Sequence, residues 1–142
     1  MRKLLAAAVI AAAPFAAFAG TASDDFTITA TVDPYCEIEN GASDISVSYN
    51  PFDTSDVTAS TTTEFNCVKN TGYTISVNAP SALTGSTYGE SLNVSVSPTS
   101  GSGTDTDGLG GTEQFTMNIT IPAGQDVATD TYSGTVTVDI NY

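Results

Sequence analysis

Apolar and polar residues alternate with period two along most of this chain. Phe26, Ile28, Ala30 and Val32 alternate with Thr27, Thr29 and Thr31; at the other end Val136, Val138, Ile140 and Tyr142 alternate with Thr135, Thr137, Asp139 and Asn141. Between them the same spacing recurs in Ile45, Val47, Tyr49; in Phe65, Cys67; in Tyr73, Ile75, Val77; in Leu92, Val94, Val96; and in Phe115, Met117, Ile119, Ile121. A two-residue repeat places one set of side chains on one face of an extended strand and the other set on the opposite face. Thr, Val, Ile, Tyr and Phe fill the repeats, whereas Pro, Gly, Asn, Asp and Ser fill the gaps, as strands and turns require.

About seven or eight short strands with no competing helical repeat predict an all-β sandwich of immunoglobulin-like plan. Its two end segments carry clean apolar stripes, and the last strand pattern is still running at Tyr142. Such a strand completes its own sheet or a neighbour's, because an unpaired edge is a liability. Both outcomes stay open for Phe26–Val32: the first strand of its own domain, or a strand exchanged between subunits. The stretch Pro98–Thr112, PTSGSGTDTDGLGGT, has no apolar period and reads as a long, mobile surface loop. Asp105, Asp107 and Gly108 echo the start of a calcium loop, but the twelfth position falls on Thr116 rather than a bidentate acid, so no metal site is expected.

Met1–Ala19 has the form of a secretory signal: Arg2 and Lys3, then an apolar run, then Ala17-Phe18-Ala19 as a small-x-small cleavage site before Gly20. The run is too short for a usual membrane span, and no later segment is apolar enough to insert. Residues 20–142 have the length of a single domain. In them one cation, Lys69, faces sixteen acidic residues, a net charge of −15. That balance excludes nucleic acid as a partner, since phosphate binding needs basic groups. Cys36 and Cys67 are the only cysteines, and an even pair in an exported chain is most simply one disulfide.

Catalytic chemistry is sparse. The chain has no His and no Trp, and both cysteines are expected to be oxidised, which removes most nucleophile and base arrangements. The closest carboxylate pairs, Glu37 with Glu39 and Asp105 with Asp107, are spaced to share one solvated strand face. No enzymatic activity and no cofactor are expected. Asn93-Val94-Ser95 and Asn118-Ile119-Thr120 match the permissive glycosylation sequon inside predicted strands.

Two segments carry a family resemblance. Ile121-Pro122-Ala123-Gly124-Gln125, followed by Asp130-Thr131-Tyr132-Ser133-Gly134-Thr135-Val136-Thr137-Val138, resembles the closing signature of spore coat protein U domains, the subunits of archaic chaperone-usher pili. FTITATVDPYC, Phe26 to Cys36, is similar to the opening of that domain. The middle departs from the pattern: Tyr49-Asn50-Pro51 fits loosely and the Trp-Gly turn common in the family is missing. The resemblance implies an incomplete immunoglobulin-like sandwich lacking its final strand, which a periplasmic chaperone lends and the next subunit's N-terminal extension then replaces at an outer-membrane usher.

Carried onto this sequence, the resemblance implies a donor-strand extension over residues 20–33 and a pilin domain over 34–142. Phe26, Ile28, Ala30 and Val32 would enter the groove of a neighbouring pilin, and the strand bearing Val136, Val138, Ile140 and Tyr142 would be one groove wall. The expected function is an extracellular pilus subunit, exported through the periplasm, serving adhesion and biofilm formation. Its partners would be identical or related pilins, the chaperone and the usher. The alternatives are a self-contained immunoglobulin-like module that binds carbohydrate or a receptor, and a spore or cell-coat protein that assembles laterally.

Overall fold

The alternating segments fold into antiparallel sheets in a computed structural model that describes residues 20–142. The signal expected over Met1–Ala19 lies outside those residues. The described residues divide after Thr31 into two units. Residues 20–31 have no helix or strand, and every one of them is exposed. The second unit, Val32–Tyr142, contains ten strands.

These strands are β1 (Cys36–Asn40), β2 (Val57–Cys67), β3 (Thr71–Asn78), β4 (Ala82–Gly85), β5 (Ser91–Asn93), β6 (Ser95–Ser97), β7 (Ser100–Asp105), β8 (Glu113–Ile121), β9 (Tyr132–Ser133) and β10 (Thr137–Asn141). One sheet has the order β1-β2-β8-β6, a second β10-β3-β7, and a small third β5-β4-β9. The main core draws Phe65, Cys67, Val96, Phe115 and Met117 from the first sheet and Ile75 from the second, with Tyr73, Val77, Val138 and Ile140 packed against it. A smaller core gathers Leu92, Val94 and Ile121 with Tyr49, Val57, Leu83, Val127 and Tyr132. Inward residues are those the alternation assigned to one face, so burial follows the period-two pattern.

Cys36 and Cys67 face each other across the β1–β2 ladder and form the expected disulfide. Three other expectations are corrected. Ile45–Tyr49 is not a strand: residues 41–50 pair with no backbone ladder. The Thr61 hydroxyl instead serves both main-chain polar groups of Ser43, accepting from its N–H at 2.9 Å and donating to its carbonyl at 3.2 Å. A side chain here takes the place of ladder bonds, which satisfies the backbone without continuing the sheet.

Leu92–Val96 is two strands rather than one. Val94 donates its N–H to the Ser81 carbonyl at 3.0 Å, and the chain there passes from the β4–β5 pairing to the β6–β8 pairing. The supposed loop Pro98–Thr112 contains β7, paired with β3 from Asp105↔Thr71 to Ser100↔Ser76, followed by a short 3-10 helix at Gly108–Gly110. Its lack of apolar period has a physical origin. A Cβ on Gly101 would lie 3.0 Å from the Phe115 ring, and one on Gly103 would lie 2.5 Å from the Tyr73 hydroxyl. Aromatic rings from other strands occupy the room that β7 side chains would fill, so glycine is what fits.

Candidate functional site

β10 is paired on one side only. It runs antiparallel to β3, with Val138 opposite Val77 and Ile140 opposite Ile75, and it stands at the end of its sheet. Its other edge therefore presents backbone N–H and C=O groups that no strand among the described residues satisfies. Val138 and Ile140 are half-buried against the main core. Val136 and Tyr142, the other two members of the predicted stripe, flank the strand just outside it and are more open, at 39% and 54% exposure. The free edge is thus lined by an apolar stripe that is only partly covered, an arrangement suited to receiving one more strand.

Tyr142 meets Tyr35 edge-to-face with ring centroids 5.9 Å apart, so the start of β1 lies beside the far end of β10. A cavity of about 350 Å³ opens there, lined by Val32, Pro34, Val68, Lys69, Asn70, Thr71, Gly72 and Tyr142. A second, larger cavity of about 500 Å³ lies where Ile45, Val47 and Tyr49 approach Leu83, Leu92, Ile121, Val127 and Tyr132. Ile45 and Val47 retain 37% and 44% exposure. The alternating stripe read from residues 45–49 is real, but its side chains lack full cover and its backbone lacks a ladder.

The closing-signature residues hold this region together. Gln125 accepts the Asn93 N–H at 2.6 Å and returns a bond from its amide to the Asn93 carbonyl at 3.0 Å, while the Gln125 N–H donates to the Tyr49 hydroxyl at 2.7 Å. Gly124, with φ of +71°, adopts the left-handed conformation that the turn into Gln125 needs. Asp130 accepts from the N–H groups of Thr87, Tyr88 and Thr131 and from the Ser86 hydroxyl. Burial opposes the Asp130 charge, but these four donors outweigh it and hold the carboxyl far below the usual carboxylate range. Tyr132 is pushed the other way, by burial first and then by the Glu90 and Asp130 charges.

At the opposite corner Asp105 is 1% exposed, not on a solvated face as its spacing suggested. It accepts the Cys67 N–H at 2.9 Å, the Asp107 N–H at 3.0 Å and the Gly108 N–H at 2.6 Å. These bonds, led by Cys67, lower its pKa against the cost of burial. No group of three or more metal-ligating side chains occurs among the described residues.

Of the predicted donor residues, Phe26 and Ile28 are 83% and 82% exposed, and Ala30 and Val32 are exposed as well. Val32 also lines the cavity beside Tyr142. The stripe at residues 136–142 falls on and beside an edge strand, whereas residues 26–32, expected to be extended as a strand, carry no strand among the described residues. Sequence reasoning missed the scaffold of Tyr49, Asn93, Gln125 and Asp130, although Gln125 and Asp130 stand within the closing signature that had been noticed.

Comparison with known proteins gives a family and a related fold. The sequence model described as Spore Coat Protein U domain matches residues 22–94, just over half of the chain. Among solved structures, the chain resembles one in the crystal structure of the CsuC-CsuE chaperone–tip adhesion subunit pre-assembly complex from archaic chaperone-usher Csu pili of Acinetobacter baumannii. The identity is 26% and the TM-score 0.51, over 79% of this chain. The match spans 41% of that chain's length. No curated protein matches the sequence.

Proposed function

This chain belongs to the Spore Coat Protein U domain family, and from that premise we propose that it is a structural pilus subunit whose immunoglobulin-like sandwich is completed by a strand from a neighbouring subunit. The observation that carries the reading is the free, apolar-lined edge of β10 in a chain that also exposes a matching stripe at Phe26, Ile28, Ala30 and Val32. An added strand would supply the main-chain partners that the outer edge of β10 lacks and cover Val136, Val138, Ile140 and Tyr142.

Strand addition obtains affinity from main-chain bonds and specificity from alternate side chains entering pockets. Burying Phe26, Ile28 and Val32 would contribute roughly 5 to 8 kcal/mol before ordering costs, an upper bound. Donor and acceptor are different parts of one subunit, so the contact is head-to-tail and its repetition yields a fibre. Before assembly a periplasmic chaperone would occupy the groove, and an outer-membrane usher would be the site of exchange. The solved relative, described as part of a chaperone pre-assembly complex, supports that order. The fibre would stand on the cell surface and serve adhesion and biofilm formation, without turnover.

Electron microscopy and size-exclusion chromatography of chain 20–142 test the proposal. Linear polymers are expected from the wild-type chain, and monomers from the Phe26→Asp, Ile28→Asp variant. That variant should melt at a higher temperature when a peptide spanning residues 24–32 is added. A variant that still polymerises, or a monomer indifferent to the peptide, would overturn the reading.

A further inference from the structure

We propose that Lys69 is an electrostatic latch that recognises Asp24 and Asp25 of the incoming subunit and so orients the added strand antiparallel to β10. The inference rests on the strand-addition reading above and specifies how the groove tells one end of its ligand from the other. Lys69 is the only Lys or Arg in residues 20–142, against sixteen acids. It is exposed, and it lines the cavity at the Tyr142 end of β10.

The turn that carries Lys69 is firmly built. Asn70, at φ of +65°, donates its N–H to the Asp105 carbonyl at 2.6 Å, Thr71 donates to the Val68 carbonyl at 2.9 Å, and Val68 donates to the Tyr35 carbonyl at 2.8 Å. Gly108 packs so closely that a Cβ there would lie 3.0 Å from the Lys69 Cβ. The base of the Lys69 side chain is therefore held in place while its charged end is left accessible.

The two stripes decide the geometry. Laid antiparallel, Phe26, Ile28, Ala30 and Val32 fall opposite Tyr142, Ile140, Val138 and Val136 in that order, and all eight share one face because strand side chains alternate. Asp24 and Asp25 then extend past Tyr142, toward Lys69. Laid parallel, the same stripes also match, so apolar contacts alone leave the direction undecided. That arrangement would carry Asp24 and Asp25 to the Gly134–Thr135 end, along the chain from Asp130. It would offer Lys69 only Asp33, which Pro34 tethers to the donor's own domain. Lys69 shares this corner with the exposed Asp107, while Asp105 is buried there and engaged by three N–H groups, so the latch acts by direct pairing of the Lys69 ammonium with Asp24 or Asp25 rather than through a positive field. Charges at the rim of an interface act chiefly through encounter rate and discrimination between alternatives.

Titration of chain 20–142 carrying Phe26→Asp and Ile28→Asp with a labelled peptide spanning residues 22–32 tests the latch. Changing Asp24 and Asp25 to Lys in the peptide should weaken binding about tenfold at low salt, with the difference fading as salt screens it. Adding Lys69→Glu to the chain should reverse the preference between the two peptides. Equal affinity of both peptides for both chains would overturn the latch and leave strand addition standing. Failure of either peptide to bind either chain would overturn strand addition, and the latch with it.

Discussion

The Asp105 carboxylate accepts the main-chain N–H of Cys67 at 2.9 Å, tying the last residue of β2 in one sheet to the last residue of β7 in another. Cys67 is thereby held twice, by its disulfide to Cys36 and by this buried hydrogen bond. The same Asp105 side chain accepts from Asp107 and Gly108, so one acid organises the corner on which Lys69 stands.

Replacing Asp105 by Asn should lower stability by about 2 to 4 kcal/mol, because the two carboxylate oxygens accept the N–H groups of Cys67, Asp107 and Gly108, whereas an amide keeps one acceptor oxygen and turns an NH2 donor toward other donors. The sign of the pH effect follows from the direction of the shift. Asp105 is held below its ordinary value of 3.8 in the folded chain, so its contribution is complete above that value. It is lost as the pH falls toward and through the lower folded pKa. Urea denaturation at several pH values should find the gap between wild type and Asp105→Asn constant near neutrality and shrinking in acid.

The disulfide closes a loop across a sequence separation of 31 residues. Loop-closure entropy makes such a link worth about 3 to 4 kcal/mol. The Cys36→Ser, Cys67→Ser double variant and the reduced wild-type chain should therefore lose similar stability in denaturant titrations, and a variant as stable as the oxidised parent would contradict this.

Gly103→Val should destabilise by about 1 to 3 kcal/mol, since the new side chain must displace the ring of Tyr73. The Tyr73 hydroxyl donates to Glu113 at 2.9 Å, and its pKa is pushed up to about 12, by burial first and then by Glu113. Displacing the ring should break that bond and let the phenol ionise at lower pH. Ultraviolet titration would detect one tyrosine moving toward the ordinary range, and an unchanged titration curve would mean that β7 shifts instead of Tyr73.

The pattern of the sequence was enough to recover the all-β class, most strands and the apolar stripe along β10, because each depends on which residues share a face, while the Cys36–Cys67 pairing followed from an even pair of cysteines in an exported chain. Residues 45–49 mark where that reading stopped: their alternation is strand-like, yet Thr61 rather than a neighbouring strand satisfies Ser43. β7 was hidden for the opposite reason, since Tyr73 and Phe115 fill the volume that its own side chains would have announced.

What the sequence determined by itself is the identity of the faces, since side-chain period is written in residue type. Only the tertiary structure decided the edges: that β10 is bonded to β3 on one side and open on the other, that Leu92 and Val96 belong to different sheets, and that Asp105 is buried. The physical reason is that strands join through main-chain N–H and C=O groups lying in the plane of the sheet, perpendicular to the side chains. Nearly every residue carries the same such groups, so which edge finds a partner leaves little trace in the pattern of residue types.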